Sequence, residues 1–260
     1  MNNLTSDSEV NSSSSLNTSS DDDEIDFVFR RPKIYKPRIT DFNRFRLSKL
    51  AVTEVINRIR PEIEKNSNRG ASIKAETQVF LTLRYYATGN MLLPVADFVG
   101  VSVASASRII KSVSSTIAAL RPEIIQMPQT REELEFTVHK FYEIARFPRC
   151  CGAIDCTHVR IISPGGNDGE IYRNRKGYFS LNVQTVADAS LKIRNIVAWW
   201  PGSCHDQTIF NNSRLKFNFE NGGYTLFLLI GDSGYAVQPY LLTPLQTTNT
   251  EPERLYSAFL

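Results

Sequence analysis

The spacing of apolar positions changes character near residue 148. Before it the pattern is helical: over residues 40–121, Phe42, Phe45, Leu47, Leu50, Val55, Ile56 and Ile59 recur at helix-compatible steps ahead of Pro61, and Val79, Leu81, Leu83 and Tyr86 mark a second helix ending at Gly89-Asn90. Residues 93–102 predict a short helix with Pro94 in its first turn, a glycine turn at Gly100 and a new N-cap at Ser102. In the helix that follows, Val103, Ala106, Ile110, Val113 and Ile117 share one face, while Ser105, Arg108, Lys111, Ser112 and Ser115 lie away from it. That is the layout of a helix-turn-helix whose second helix reads DNA through Ser105, Arg108 and Lys111. A compact helical domain with a solvated polar face gives the same pattern. Residues 131–147 predict one more amphipathic helix, closed by Pro148.

Beyond Pro148 the texture is that of strands. Residues 151–162 form a short run of β-branched and small apolar residues that stops at Ser163-Pro164-Gly165-Gly166. Residues 178–186 alternate Phe179, Leu181, Val183 and Thr185 against Ser180, Asn182 and Gln184. Residues 191–200 predict a third strand, with Ala187-Asp188-Ala189-Ser190 a loop of hairpin length. Residues 206–219 carry mostly helical spacing, and the continuous apolar run 224–230 predicts a central strand covered on both faces. Three strands, a helix and a strand describe an antiparallel meander followed by a crossover to a strand parallel to the first. The expected class is α+β overall: a helix-turn-helix-like helical domain at 40–125, a connecting helix at 126–148 and an α/β domain at 149–260.

Charge divides the chain differently. Residues 1–26 hold seven of the 27 acids and no Lys or Arg, leaving 30 basic against 20 acidic residues in the remainder, a balance of +10. Residues 1–39 are expected to be a disordered tail, acidic and then basic, because so few large apolar side chains cannot offset the entropy of ordering. Its segment Arg30-Arg31-Pro32-Lys33-Ile34-Tyr35-Lys36-Pro37-Arg38 reads as a nuclear import signal, a phosphate-gripping arm or a solvated linker. A remainder this basic suits a polyanion such as nucleic acid. No apolar run approaches the ~20 residues that span a bilayer, so no membrane partner is expected. Cys150, Cys151 and Cys156 crowd around one strand, unlike a secreted disulfide framework, and an intracellular compartment is the expectation.

The chemistry rests on carboxylates. Asp155 sits mid-strand between Ile154 and Val159, where Asp is depleted; a metal ion is one reason for it, and Arg or backbone donors are another. Asp232, 77 positions later, stands at the carboxyl end of the fourth strand, where the crossover can bring it near Asp155. Two carboxylates held within a few Å repel unless a cation lies between them, and Mg²⁺ is satisfied by one or two carboxylates plus water and substrate phosphate. Asp206 opens a helix and is either a third member of the cluster or a first-turn carboxylate meeting the helix dipole. Arg173-Asn174-Arg175-Lys176-Gly177 places three cations just before the second strand, a phosphate clamp in which Arg173, Arg175 and Lys176 would meet nucleic acid.

Five segments in order, Gly152-Ala153-Ile154-Asp155-Cys156-Thr157-His158, Asn174-Arg175-Lys176-Gly177-Tyr178 with Ser180 and Asn182, Trp200-Pro201-Gly202-Ser203-Cys204-His205-Asp206, Gly231-Asp232-Ser233-Gly234-Tyr235 and Leu242-Thr243-Pro244, resemble the Harbinger transposase-derived nuclease family. The resemblance is specific over residues 148–244 and looser across the helical part. It implies a DDE-type, RNase H-like nuclease domain hydrolysing DNA phosphodiester bonds. By the same resemblance Asp155 and Asp232 are the catalytic metal ligands, Asp206 an accessory ligand, the cofactor a divalent cation (Mg²⁺, with Mn²⁺ the alternative) and the location nuclear, with the cytoplasm second. The family's last acid lies on a helix ~35 residues beyond the position of Asp232, which falls past Leu260, so the domain is expected to be incomplete at its C-terminus. Glu251 and Glu253 are expected in the loop before that helix. The alternative from another class is a non-catalytic DNA-binding protein derived from a transposase, with a separate partner protein assisting DNA targeting.

Overall fold

The computed structural model describes residues 42–64, 72–245 and 247–258. The expected tail at 1–39, with its basic segment, lies outside the described residues. A 3-10 helix at Phe42–Phe45 leads into α1 (Lys49–Ile63), α2 (Ala75–Thr88), α3 (Leu92–Val99), α4 (Val103–Ala119), α5 (Arg121–Ile124) and α6 (Arg131–Ala145). Then come β1 (Cys150–Arg160), β2 (Ser180–Ala187), β3 (Ile193–Pro201), α7 (Asp206–Asn211), α8 (Arg214–Glu220), β4 (Leu228–Gly231), β5 (Leu241–Leu242) and α9 (Glu251–Ala258). Among the described residues no single helix is long and apolar enough to cross a membrane.

The helices from α1 to α4 close around one apolar cluster that includes Val52, Ile59, Val79, Leu81, Val95, Ala106 and Val113. Local signals set their ends. Ser48 and Ser102 cap α1 and α4 by accepting the Ala51 and Ser105 amide N–H groups at 3.2 Å, and Gly89 and Gly100 end α2 and α3 in the left-handed conformation. The chain bends by 93° between α3 and the α4–α5 run, with Gly100 at the corner. Two expectations are corrected. Pro61 lies inside α1, which continues for two residues because Ile63 is buried in the same cluster. In α4 Val103 is exposed and Ile109 buried, so the apolar stripe is rotated by part of a turn.

The second part is a five-stranded mixed sheet in the order β3-β2-β1-β4-β5. β1 pairs antiparallel with β2 and parallel with β4, as the predicted meander and crossover require. Its core joins Ile154, Val186, Leu229 and Leu241 from the sheet with Phe210, Leu215 and Phe219 from α7 and α8 and Leu134 from α6. α6 begins with a capping box, in which Thr130 Oγ1 accepts from the Glu133 N–H and the Glu133 carboxylate accepts from the Thr130 N–H.

Three predicted elements differ. The run 224–230 is only half strand: Leu226 has φ 73°, and Tyr224 turns into the core against Phe219, ring centroids 4.7 Å apart. The helix expected at 206–219 breaks into α7 and α8, with Ser213 capping the second piece. Glu251 and Glu253 stand in the first turn of α9 and not in a loop. The Glu253 carboxylate accepts from Asn249 N at 2.7 Å and Thr250 N at 2.9 Å, which holds its pKa below the ordinary glutamate value and commits it to starting that helix.

Candidate active site

The sheet register places the first two acids. Ile154 is the partner of Gly231 in the parallel β1–β4 ladder, so the next residue on each strand brings Asp155 level with Asp232. Asp232 ends the strand and its Oδ1 accepts from the Gly234 amide at 3.0 Å. Asp155 is exposed, against the expectation of a carboxylate sunk in an apolar strand, because β1 leaves the core from its midpoint onward. Its Oδ1 accepts from the Cys156 N–H at 2.7 Å.

Asp206 arrives from the helical side. It opens α7, after His205 at the N-cap, and its Oδ1 accepts from Asn182 Nδ2 at 2.8 Å. The same amide nitrogen donates to Cys204 O at 2.9 Å, so Asn182 ties the loop and the carboxylate together. A Cβ on Gly234 would lie 3.0 Å from both Asp206 Oδ2 and Asp232 Oδ1, which puts those two oxygens at most 6.0 Å apart. Asp155 pairs with Thr185, and Asn182, an odd number of residues along the strand, points to the other face of the sheet. Asp155 and Asp206 therefore approach the end of β4 from opposite faces of the sheet.

Their proximity is electrostatically unfavourable. Partial burial first, and then the charges of Asp232 and Asp206, push the Asp155 carboxyl above its ordinary pKa, against the Cys156 N–H that favours the ionised form. Burial pushes the Cys156 thiol up to about 12, and its Sγ lies 3.2 Å from the Tyr235 hydroxyl, whose own pKa is also raised by burial. Cys150 and Cys151 are buried and pushed up to about 12. Raised in this way by burial, the three thiols are protonated near neutral pH.

A cavity of about 410 Å³ opens beside the acids, lined by His158, Asn174, Arg175, Lys176, Asn182, Asp206 and Asp232 with the loops 202–205 and 233–234. Asp155 lies outside this lining. Of the expected clamp, Arg175 and Lys176 face the cavity, whereas Arg173 does not. Its guanidinium is paired with Glu170 at 2.7 Å, donates to Gly177 O and stacks over Phe179 at 4.4 Å. On α4, Arg108 and Lys111 are exposed, while Ser105 is half-buried and its Oγ is engaged by Ser102 and Arg108.

The donor set is tested against a hard cation by what it leaves unsatisfied. Asn182 is 1% exposed, lines the cavity, and has an Oδ1 without a hydrogen-bond partner. Its Nδ2 faces Asp206, so the oxygen donors turned to the cavity are the carboxylates of Asp206 and Asp232, a pair of the kind Mg²⁺ accepts when water completes its shell. The three-carboxylate ligand set expected from the sequence is not assembled around one point: among the described residues no three His, Cys, Asp or Glu side chains are close enough to share an ion. Asn182, His158, Asn174 and Ser180 were given no role in the sequence reading. The signal for them is the polar phase of β2, since Ser180, Asn182 and Gln184 are its most buried side chains, together with Val186.

Comparison with known proteins agrees with this geometry. Residues 154–257 match the model of the DDE superfamily endonuclease family. The proteins named "Putative nuclease HARBI1" of Rattus norvegicus and Homo sapiens are each 32% identical over 195 residues, covering 75% of this chain and 56% of the relative. "Protein ALP1-like" of Arabidopsis thaliana is 27% identical over 195 residues, covering 70% of this chain and 47% of the relative. The chain thus spans about half the length of the curated relatives it matches, and no solved structure matches it. With a β3-β2-β1-β4-β5 sheet of the RNase H-like kind and the acids gathered at the end of β4, the chain belongs to the Harbinger transposase-derived nuclease family and carries its DDE superfamily endonuclease domain.

Proposed function

We propose that this chain belongs to a divalent-metal-dependent nuclease that hydrolyses DNA phosphodiester bonds. The observation that carries the reading is the approach of Asp155, Asp206 and Asp232 to the end of β4, with the Asp155 carboxyl raised first by partial burial and then by the charges of Asp232 and Asp206. Neighbouring carboxylates of this kind favour a cation between them. Asp206 and Asp232 would hold the ion, with water completing its shell and Asp155 beside Asp232. The bound cation, Mg²⁺ or Mn²⁺, would neutralise charge on the attacking and leaving oxygens of the scissile phosphate. The protein's own residues do the rest: Asn182 fixes the Asp206 carboxylate, the Gly234 N–H fixes Asp232, and Arg175 and Lys176 hold phosphate next to them.

The domain division follows the same reading: a helix-turn-helix-like part at 40–125, a connecting helix at 126–148 and the nuclease domain at 149–260. The 93° bend at Gly100 and the exposed Arg108 and Lys111 support α3–α4 as the DNA-reading pair, with Ser105 at its start. Those features also favour a second reading, a DNA-binding protein without catalysis. A DNA substrate makes the nucleus the proposed location, and a partner protein that directs the site is part of the proposal.

A plasmid-nicking assay with Mg²⁺ or Mn²⁺, on this chain and on one extended through the next helix, tests the nuclease reading. Cleavage that disappears in Asp232→Asn and Asp155→Ala is expected. Unchanged cleavage in either variant overturns the site, and salt-sensitive DNA binding without cleavage, lost in Arg108→Ala/Lys111→Ala, selects the second reading.

A further inference from the structure

The cavity beside the acids has a second half made only of donors, and its architecture begins at Asn174. This side chain is 5% exposed, and its Oδ1 accepts from the Lys176 amide at 2.9 Å and the Tyr178 amide at 3.4 Å. Two backbone N–H groups fix the amide orientation, so Nδ2 must face the other way, where it donates to Ser180 Oγ at 3.0 Å. Ser180 is fully buried, and the remaining partner of its hydroxyl is His158 Nδ1 at 3.1 Å. Asn174 occupies one acceptor site of the hydroxyl, and His158 Nδ1 is the partner within reach of its proton. In the tautomer that takes that proton as an acceptor, Nδ1 is bare and Nε2–H is the free donor of a ring that lines the cavity.

Gly202 shows that the arrangement is built to close tolerance. A Cβ there would sit 2.3 Å from Ser180 Oγ, 2.6 Å from Tyr172 O and 2.8 Å from Ser180 O. Two cations share the lining. Among the described residues neither Arg175 nor Lys176 is ion-paired with a carboxylate, and Arg175 touches only the ring of His205. Cations without a carboxylate partner, beside an imidazole oriented by the buried Ser180–Asn174 relay, describe a receptor for an anion rich in acceptor oxygens.

We propose that His158, Arg175 and Lys176 form a phosphate subsite, separate from the metal-holding acids, that takes the phosphate of a nucleic-acid strand next to the bond being cut. The assignment rests on reading the neighbouring acids as the DNA-cleaving site and deepens it. The acidic half of the cavity repels phosphate until a cation is present. The donor half does not, so the subsite binds without metal.

The test uses the full chain in EDTA with three probes: a 5′-phosphorylated tetrathymidylate, the same oligonucleotide without the phosphate, and inorganic phosphate. Loss of roughly tenfold in oligonucleotide affinity is expected in His158→Ala and in Lys176→Ala, with Asp232→Asn keeping or tightening binding. Preference for the phosphorylated probe, with competition by inorganic phosphate, assigns a strand end. Equal binding of both oligonucleotides, weakened alike in the variants, assigns an internal phosphodiester. Affinities unmoved by either variant overturn the subsite. An NMR measurement on the unaltered protein guards against misfolding of variants. Long-range ¹H–¹⁵N spectra should show His158 protonated on Nε2, with shifts on adding the phosphorylated probe, and the Nδ1–H tautomer or silence on titration contradicts the proposal. Phosphate binding without metal-dependent cleavage removes the nuclease reading alone, and cleavage with undiminished binding in the variants removes the subsite alone.

Discussion

The helical part and the sheet part of this chain bury their interiors by different rules. Around α1–α4 the core is apolar, and its buried polar member, Thr82, returns its hydroxyl to Gln78 O at 3.0 Å. In the sheet the most buried row of β2 is polar. Among the described residues, the buried polar atoms without a hydrogen-bond partner fall on β2 and β3: Asn182 Oδ1, both amide atoms of Gln184, Asn195 Oδ1, Trp200 Nε1 and Arg194 Nε, the last ion-paired with Asp188 at 3.1 Å. A lone buried polar group costs ~1–3 kcal/mol. The helical part buries an apolar core and keeps its cations Arg108 and Lys111 on the surface, whereas the sheet part buries polar side chains beside the candidate site.

The largest expected effect separates the two parts through their glycines. Gly202→Ala drives a methyl into Ser180 Oγ and two carbonyl oxygens and should cost about 3 kcal/mol or more of unfolding free energy in urea denaturation. Gly89→Ala in the helical part meets open space and has only its φ of 59° to resist it, so about 1 kcal/mol is expected. Similar losses at the two sites would break the comparison. A smaller effect of opposite sign sharpens it. Gln184→Leu replaces two unpartnered buried amide atoms with an apolar side chain and should be neutral or stabilising by about 1 kcal/mol, read as thermal melting of the pure protein. A loss above about 2 kcal/mol would mean that Gln184 is satisfied and that the sheet interior is not frustrated.

The same contrast explains what the sequence discloses. Helix starts and stops follow from short-range chemistry: Ser48, Ser102 and Thr130 are caps, and Gly89 and Gly100 are stops, each legible within a few residues. The meander and crossover are readable because β1, β2 and β3 follow one another at short intervals and the helical stretch after β3 can carry the chain back to lie beside β1. Asp155 and Asp232 were readable as acids in places where acids are uncommon. The rest depends on contacts distant in sequence. The run 224–230 loses half its strand to Tyr224 packing on Phe219, and period alone carries no sign of that. Asp206 is joined to the site by Asn182, 24 residues away, and His158 is aligned by Ser180 and Asn174. Arg173 looks identical to Arg175 in the sequence, yet Glu170 three residues earlier claims it.

The central claim is that Asp206 and Asp232, with Asp155 beside Asp232, form a centre of negative charge that a divalent cation stabilises. Thermal melting of the unaltered chain and of Asp232→Asn, each with EDTA and with Mn²⁺ at saturating concentration, tests it directly. The account predicts that Asp232→Asn melts higher than the unaltered chain in EDTA, because one of the repelling charges is gone. It also predicts that Mn²⁺ raises the melting temperature of the unaltered chain by on the order of 5 °C and leaves the variant nearly unmoved. A variant that melts lower in EDTA and gains as much from Mn²⁺ as the unaltered chain would contradict it.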